Sequence, residues 1–142
     1  MKIHITENID KAIENYTIVP ILYGKIDLGL TPNNSVTHIV AIDALDSVPS
    51  NLLVDFISNI VAKMRLGCEL VLGGTELAAI SRDVVNNNIT TPDYNQLIFT
   101  KRGIYRSEDI IKLLNEANLT INNVQIRGHR YELTATRPYP KN

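Results

Sequence analysis

Two aspartates and a pair of glycines are the residues of this chain whose placement could do chemistry. Asp43 and Asp46 follow an apolar run, Val36 to Ile42, and in an open α/β sheet the carboxyl ends of strands are where ligands bind. Two carboxylates there could share a proton or hold a substrate amine. They could equally serve the N-terminus of the next helix, where negative charge is favoured, and this structural reading is preferred. Gly73-Gly74-Thr75 closes a second apolar run ahead of a helical pattern. Free amides there could cradle an anion. The lysine and spacing of a phosphate loop are missing, however, so a plain β-α turn is preferred. His4, His38 and His129 stand apart from one another and from Cys68, without metal-ligand spacing. Arg127, His129, Arg130 and Arg137 form a small basic cluster, read as a solvated hairpin face. No catalytic residue and no metal site is assigned.

The elements that must position these residues are written in hydrophobic periodicity. Thr37 to Thr75 gives an apolar strand, an acidic turn, a long amphipathic helix and a second apolar strand, a β-α-β crossover. Leu52, Leu53, Phe56, Ile57, Ile60, Val61 and Met64 recur at three- and four-residue intervals on one helical face, with Ser50 as its N-cap and Gly67 as its left-handed stop. Upstream, Lys2 to Thr6 alternates as a short strand and Asn8 to Tyr16 carries helical spacing. Thr17 to Tyr23 reads as a strand in which Pro20 points to an edge position or a bulge. Downstream, Thr75 caps a helix through Val85, and Gln96 to Thr100 is expected as a short strand. Ser107 caps a further helix whose inner stripe is Ile110, Ile111, Leu113, Leu114 and Ala117. Gly128-His129 joins two final strands as a hairpin.

A chain of 142 residues with net charge −1 suits one domain, residues 1–142, able to remove roughly two-thirds of its unfolded surface from water. The near-neutral charge and 6% aromatic content give no footprint for nucleic acid, and such a partner is not expected. No apolar run approaches a membrane span, and no secretory h-region opens the chain. One cysteine, Cys68, excludes an internal disulfide and fits a reducing, cytoplasmic setting.

In order along the chain, several segments resemble the class I S-adenosylmethionine-dependent methyltransferases, above all their small predicted-methyltransferase branch. Asp27-Leu28 and Pro32-Asn33-Asn34-Ser35-Val36-Thr37 resemble the family's "DL…P-D-N-S-x-D" loop. Ala44-Leu45-Asp46-Ser47-Val48-Pro49 resembles "LEHVP", and Met64-Arg65-Leu66-Gly67-Cys68-Glu69-Leu70-Val71-Leu72 resembles "LKPGGELVL". Tyr105-Arg106-Ser107-Glu108-Asp109 is similar to the motif that opens the family's last helix, and Tyr131-Glu132-Leu133 to its final antiparallel strands. The resemblance covers about Asp27 to Pro138.

This resemblance implies an α/β, Rossmann-like methyltransferase-type sheet. It would be mostly parallel with a C-terminal antiparallel hairpin, carry helices on both faces, and be shortened at its N-terminus. It also implies candidate cofactor-binding positions: Asp27, leading towards the adenine pocket, with Asp43, Asp46, Gly73 and Gly74. The departures carry equal weight. Family members end their first strand in a glycine-rich loop that lets backbone approach the cofactor, whereas no glycine precedes Gly24 here. Asn33 and Thr37 stand where the branch commonly has aspartates, and Ser47 where it often has histidine.

The expectation is therefore a degenerate, methyltransferase-like binding or assembly module with no bound cofactor. It would be a homo-oligomer or bind another protein, since a curtailed sheet leaves an edge that invites pairing. Its compactness and asparagine-rich loops suit a virus- or phage-encoded protein. The alternative is an active S-adenosylmethionine-dependent methyltransferase with an unorthodox cofactor site.

Overall fold

Residues 1–140 are described by a computed structural model. One six-stranded sheet organises them, in the order β2-β1-β3-β4-β6-β5. The strands are β1 (Lys2–Thr6), β2 (Thr17–Pro20), β3 (Val36–Ala41), β4 (Met64–Thr75), β5 (Thr120–Arg127) and β6 (Arg130–Thr136). The first four run parallel, and β6 pairs antiparallel with both β4 and β5. The helices are α1 (Leu53–Lys63), α2 (Leu77–Val85), α3 (Thr91–Phe99) and α4 (Ser107–Glu116). This is the expected mixed α/β architecture.

Register and pleat divide the sheet into two unlike faces. Ile39, Leu70 and Ala135 lie in one row, and Ala41, Leu72 and Leu133 in the next; all are buried. Onto that face pack Phe56, Ile57 and Ile60 from α1, and Ile110 and Leu114 from α4. Alternate positions face the other way: Val40, Val71 and Thr134 are only half-buried there, and Ile42 is exposed. The helices that build the core thus concentrate on one side, and area-proportional hydrophobic stabilisation follows them.

Several local expectations give way to tertiary structure. Asn8 to Tyr16 is not an amphipathic helix; it contains only a 3-10 turn, Ile9–Lys11, with Ile9 and Ile13 exposed and Asn15 at φ +68°. So short a segment needs a packed face to stay helical, and none is offered. Gly67 does not stop α1, which ends at Lys63. It sits inside β4 at φ +83°, where the β3–β4 register shifts and an added Cβ would lie 2.7 Å from the Tyr139 hydroxyl. The strand expected at Gln96 to Thr100 is the end of α3. That helix opens on a Thr90 cap to the Asp93 N–H, followed by Pro92 in its first turn. Ser50 opens a 3-10 turn (Ser50–Leu52) instead of capping α1 through its side chain. The edge strand with Pro20 and the hairpin at Gly128-His129 are as expected, and α4 is followed by a left-handed residue, Asn118, at φ +65°.

The packing of α1 gives a direct test. Ile57→Asp places an unpaired charge against the sheet and should cost more than about 4 kcal/mol, enough to unfold a domain of ordinary stability. Ser58→Asp, on the exposed face, should stay within about 0.5 kcal/mol of wild type. Circular dichroism during urea titration measures both.

Candidate functional site

The chain leaves β1 for β2 on one side and reaches β3 and β4 on the other, so the strand order reverses at β1/β3. Such a reversal opens a crevice beyond the carboxyl ends of the two strands, where ligands of open α/β sheets lie. The crevice is present here, with a volume of about 500 Å³, and its walls include His4, Thr6, Glu7, Asp43, Asp46 and Arg130.

Asp43 and Asp46 come together at it, and both are already engaged. Asp43 is the left-handed residue, φ +63°, that turns β3 into a 3-10 turn, Ala44–Ser47. Its carboxylate pairs with the Arg130 guanidinium, which also donates to Asp46 Oδ2 at 3.0 Å and to Thr75 Oγ1 at 3.2 Å. The second oxygen of Asp46, Oδ1, accepts the Thr75 N–H at 2.7 Å, and Lys101 Nζ lies 3.6 Å from Oδ2. The Asp46 carbonyl accepts from the Arg102 N–H at 2.7 Å. Burial alone would lower the Arg130 pKa, but Asp46 and Asp43 outweigh it and raise it, so the cation is fixed. The Asp46 side chain is 12% exposed and that of Asp43 49%. Asp46 is therefore a buried, fully partnered carboxylate, and Asp43 its half-open neighbour.

The β1 exit is similarly self-satisfied. Thr6 Oγ1 accepts the Asn8 N–H at 3.0 Å and donates to the Asn8 carbonyl, while Asn8 Oδ1 accepts the Asp10 N–H at 3.0 Å. Ser47 donates to the Glu7 carboxylate, joining the two lips of the crevice. Two backbone amides of this exit, those of Asn8 and Asp10, are thereby occupied by neighbouring side chains.

Gly73 and Gly74 are not a β-α turn. They are strand residues of β4, paired with Glu132 and Tyr131 of β6. A Cβ on Gly73 would lie 2.6 Å from the Tyr131 carbonyl oxygen; one on Gly74 would lie 3.2 Å from both Asp46 Oδ1 and Leu45 Cβ. The pair lets the sheet approach β6 and the Ala44–Ser47 turn closely. Asp27 lies away from the crevice, on an exposed loop, and its Oδ1 accepts the Gly29 N–H at 2.9 Å in a local turn.

Several contributors had no sequence signal. Arg130 was grouped with a solvated hairpin, yet it holds the acidic pair from a different part of the chain. Glu76, not Thr75, caps α2: one oxygen accepts the Ala78 N–H and the other the Ser107 N–H, each at 3.0 Å, so one buried carboxylate serves the starts of α2 and α4. Burial, with Asp46 and Glu76 beside it, pushes the Tyr131 phenol far above its usual range, and among the described residues its hydroxyl has no hydrogen-bond partner. The buried His4 Nδ1, at the crevice wall, is likewise unpartnered. Burial raises the Cys68 thiol to about 11, an inert core position. Among the described residues, no group of three His, Cys, Asp or Glu is placed to hold a metal ion, and no helix is long and apolar enough to cross a membrane.

No family model and no curated protein matches the chain. Solved structures do. A putative methyltransferase from Bacillus halodurans aligns at 11% identity and TM-score 0.63, over 98% of this chain and 84% of its own. A SAM-dependent methyltransferase from Aquifex aeolicus aligns at 15% identity and TM-score 0.53, over 86% of this chain and 55% of its own. Magnesium protoporphyrin IX methyltransferase from Synechocystis aligns at 13% identity and TM-score 0.57, over 92% and 55%. The chain thus has the class I methyltransferase-like fold expected of its motifs. It spans little more than half the length of the Aquifex and Synechocystis proteins.

Two outcomes test this site. Gly73→Ala forces backbone apart and should cost about 1–3 kcal/mol in urea denaturation, whereas Asp27→Ala should change stability by less than about 0.5 kcal/mol. Burial also holds the His4 imidazole below its ordinary value of 6.5. The unfolded chain then binds that proton first, so this contribution to stability falls as pH drops through 6.5 and levels off below the folded value. Urea midpoints across that window should slope for the wild type, and His4→Gln should remove the His4 component.

Proposed function

We propose that this chain is a methyltransferase-fold binding and assembly module that does not grip a methyl donor in the manner of the fold's enzymes. One observation carries the reading: the glycine-free β1 exit, whose Asn8 and Asp10 amides are taken by the Thr6 and Asn8 side chains and whose Glu7 is tied across the crevice to Ser47. A donor's carboxylate and ribose hydroxyls need free amides and a free acidic group at close backbone approach. Here every such group named above has an internal partner except the open side of Asp43, so the residues present do not fit S-adenosylmethionine. Displacing Arg130 from Asp46 to admit a ligand would leave that carboxylate, 12% exposed, with only the Thr75 N–H and Lys101 as partners. We further read the module as a cytoplasmic protein whose compactness and asparagine-rich turns suit a viral or phage source.

A second reading, an S-adenosylmethionine-dependent methyltransferase with an unorthodox site, draws on the open crevice and the unpartnered His4 Nδ1. Calorimetric titration separates the two. S-adenosylmethionine should give no saturable heat at millimolar concentration. Micromolar binding that is lost in Asp43→Ala would overturn the module and establish the enzyme.

A further inference from the structure

The sheet has two edges, and they are built differently. β2 is four residues long and ends on Pro20, which has no N–H to offer a neighbour. β5 runs for eight residues, TINNVQIR, without proline, lysine or an inward-pointing charge to blunt it. Among the described residues, no hydrogen bond other than those to β6 reaches the main chain of residues 123–127. The outward half of that backbone is left to water.

The pattern of β5 also suits one partner in particular. Its pairing with β6 is irregular between Ile121 and Asn123 and regular from there to Arg127. The regular stretch is centred on Gln125. On the helix-bearing face it exposes Val124 (37%) and Ile126 (55%). Ile126 shares a groove of about 600 Å³ with Val85 of α2, itself exposed, so the apolar strip continues off the strand.

We propose that β5 pairs antiparallel with β5 of a second copy of this chain, about a twofold axis at Gln125, joining the two sheets. A twofold contact must be self-complementary, and this register is. Val124 of each copy meets Ile126 of the other on one face, twice over. On the opposite face Gln125 meets Gln125, and Asn123 meets Arg127. No like charges stand opposite each other, and the apolar pairs are of the kind that stabilise antiparallel strands. Moving the axis to Val124 would set both Ile126 side chains against Asn122 and forfeit those pairs. The dimer supplies the partner for the assembly role proposed above, on which it rests for its purpose. Oligomeric state and donor binding are read by different measurements, so either idea can fail alone.

Sedimentation velocity on the full chain tests it. The wild type should be a dimer. Gln125→Lys sets two lysines face to face and should weaken dimerisation by about tenfold or more; Gln125→Glu should do the same. Mixing the two variants should restore the dimer, because the opposed side chains then attract. Gln125 is exposed, so both variants should keep the wild-type circular dichroism, and Thr17→Lys on the β2 edge should leave the dimer intact. A monomeric wild type, a dimer indifferent to Gln125, or a mixture that stays monomeric overturns the proposal.

Discussion

Asp46 is the residue through which four separate parts of the chain are held. It sits in the Ala44–Ser47 turn after β3, and its carboxylate receives the last N–H of β4 from Thr75 and the guanidinium of Arg130 from the start of β6. Its own carbonyl accepts the turn at Arg102, which leads into α4. A charge this buried is tolerable only when its lone pairs are filled, and each partner that fills one fixes the position of a different element. The close approach of Gly74 to Asp46 follows from the same constraint, since a side chain there would crowd the carboxylate.

That arrangement explains why the crevice keeps the location of a ligand site while its groups look inward. The strand order reverses at β1/β3, so a gap at the carboxyl ends is unavoidable. What fills the gap is decided by side chains. Arg130 neutralises the acidic pair, and Glu7 reaches Ser47. Thr6 and Asn8 take the Asn8 and Asp10 amides. These side chains hold neighbouring segments together across the crevice, and a shared fold does not by itself fix a shared activity.

The same economy of chain shapes the periphery. With only a 3-10 turn between β1 and β2, the face carrying Val40, Val71 and Ile42 is left partly open. At the far side, among the described residues, the main chain of 123–127 is hydrogen-bonded to β6 alone. A sheet this narrow has two edges close to its core, and only the β2 edge is guarded by a proline.

Periodicity along the sequence settled the central β-α-β unit, α4 and the C-terminal hairpin, because each is longer than its nucleation cost and buries a regular apolar stripe. It also located Asp43 and Asp46 at a strand's carboxyl end, where the crevice lies. It failed at Asn8 to Tyr16, where helical spacing had no surface to pack on, and at Gln96 to Thr100, where the Thr90–Pro92 start outweighed local β-propensity. It could not see Arg130 beside Asp43, Glu76 beneath Ser107, or Glu7 against Ser47. Those contacts join residues separated by 87, 31 and 40 positions. Local pattern records which face of an element is apolar, because burial acts on each residue separately. Which charge meets which is decided only when the sheet brings distant segments together.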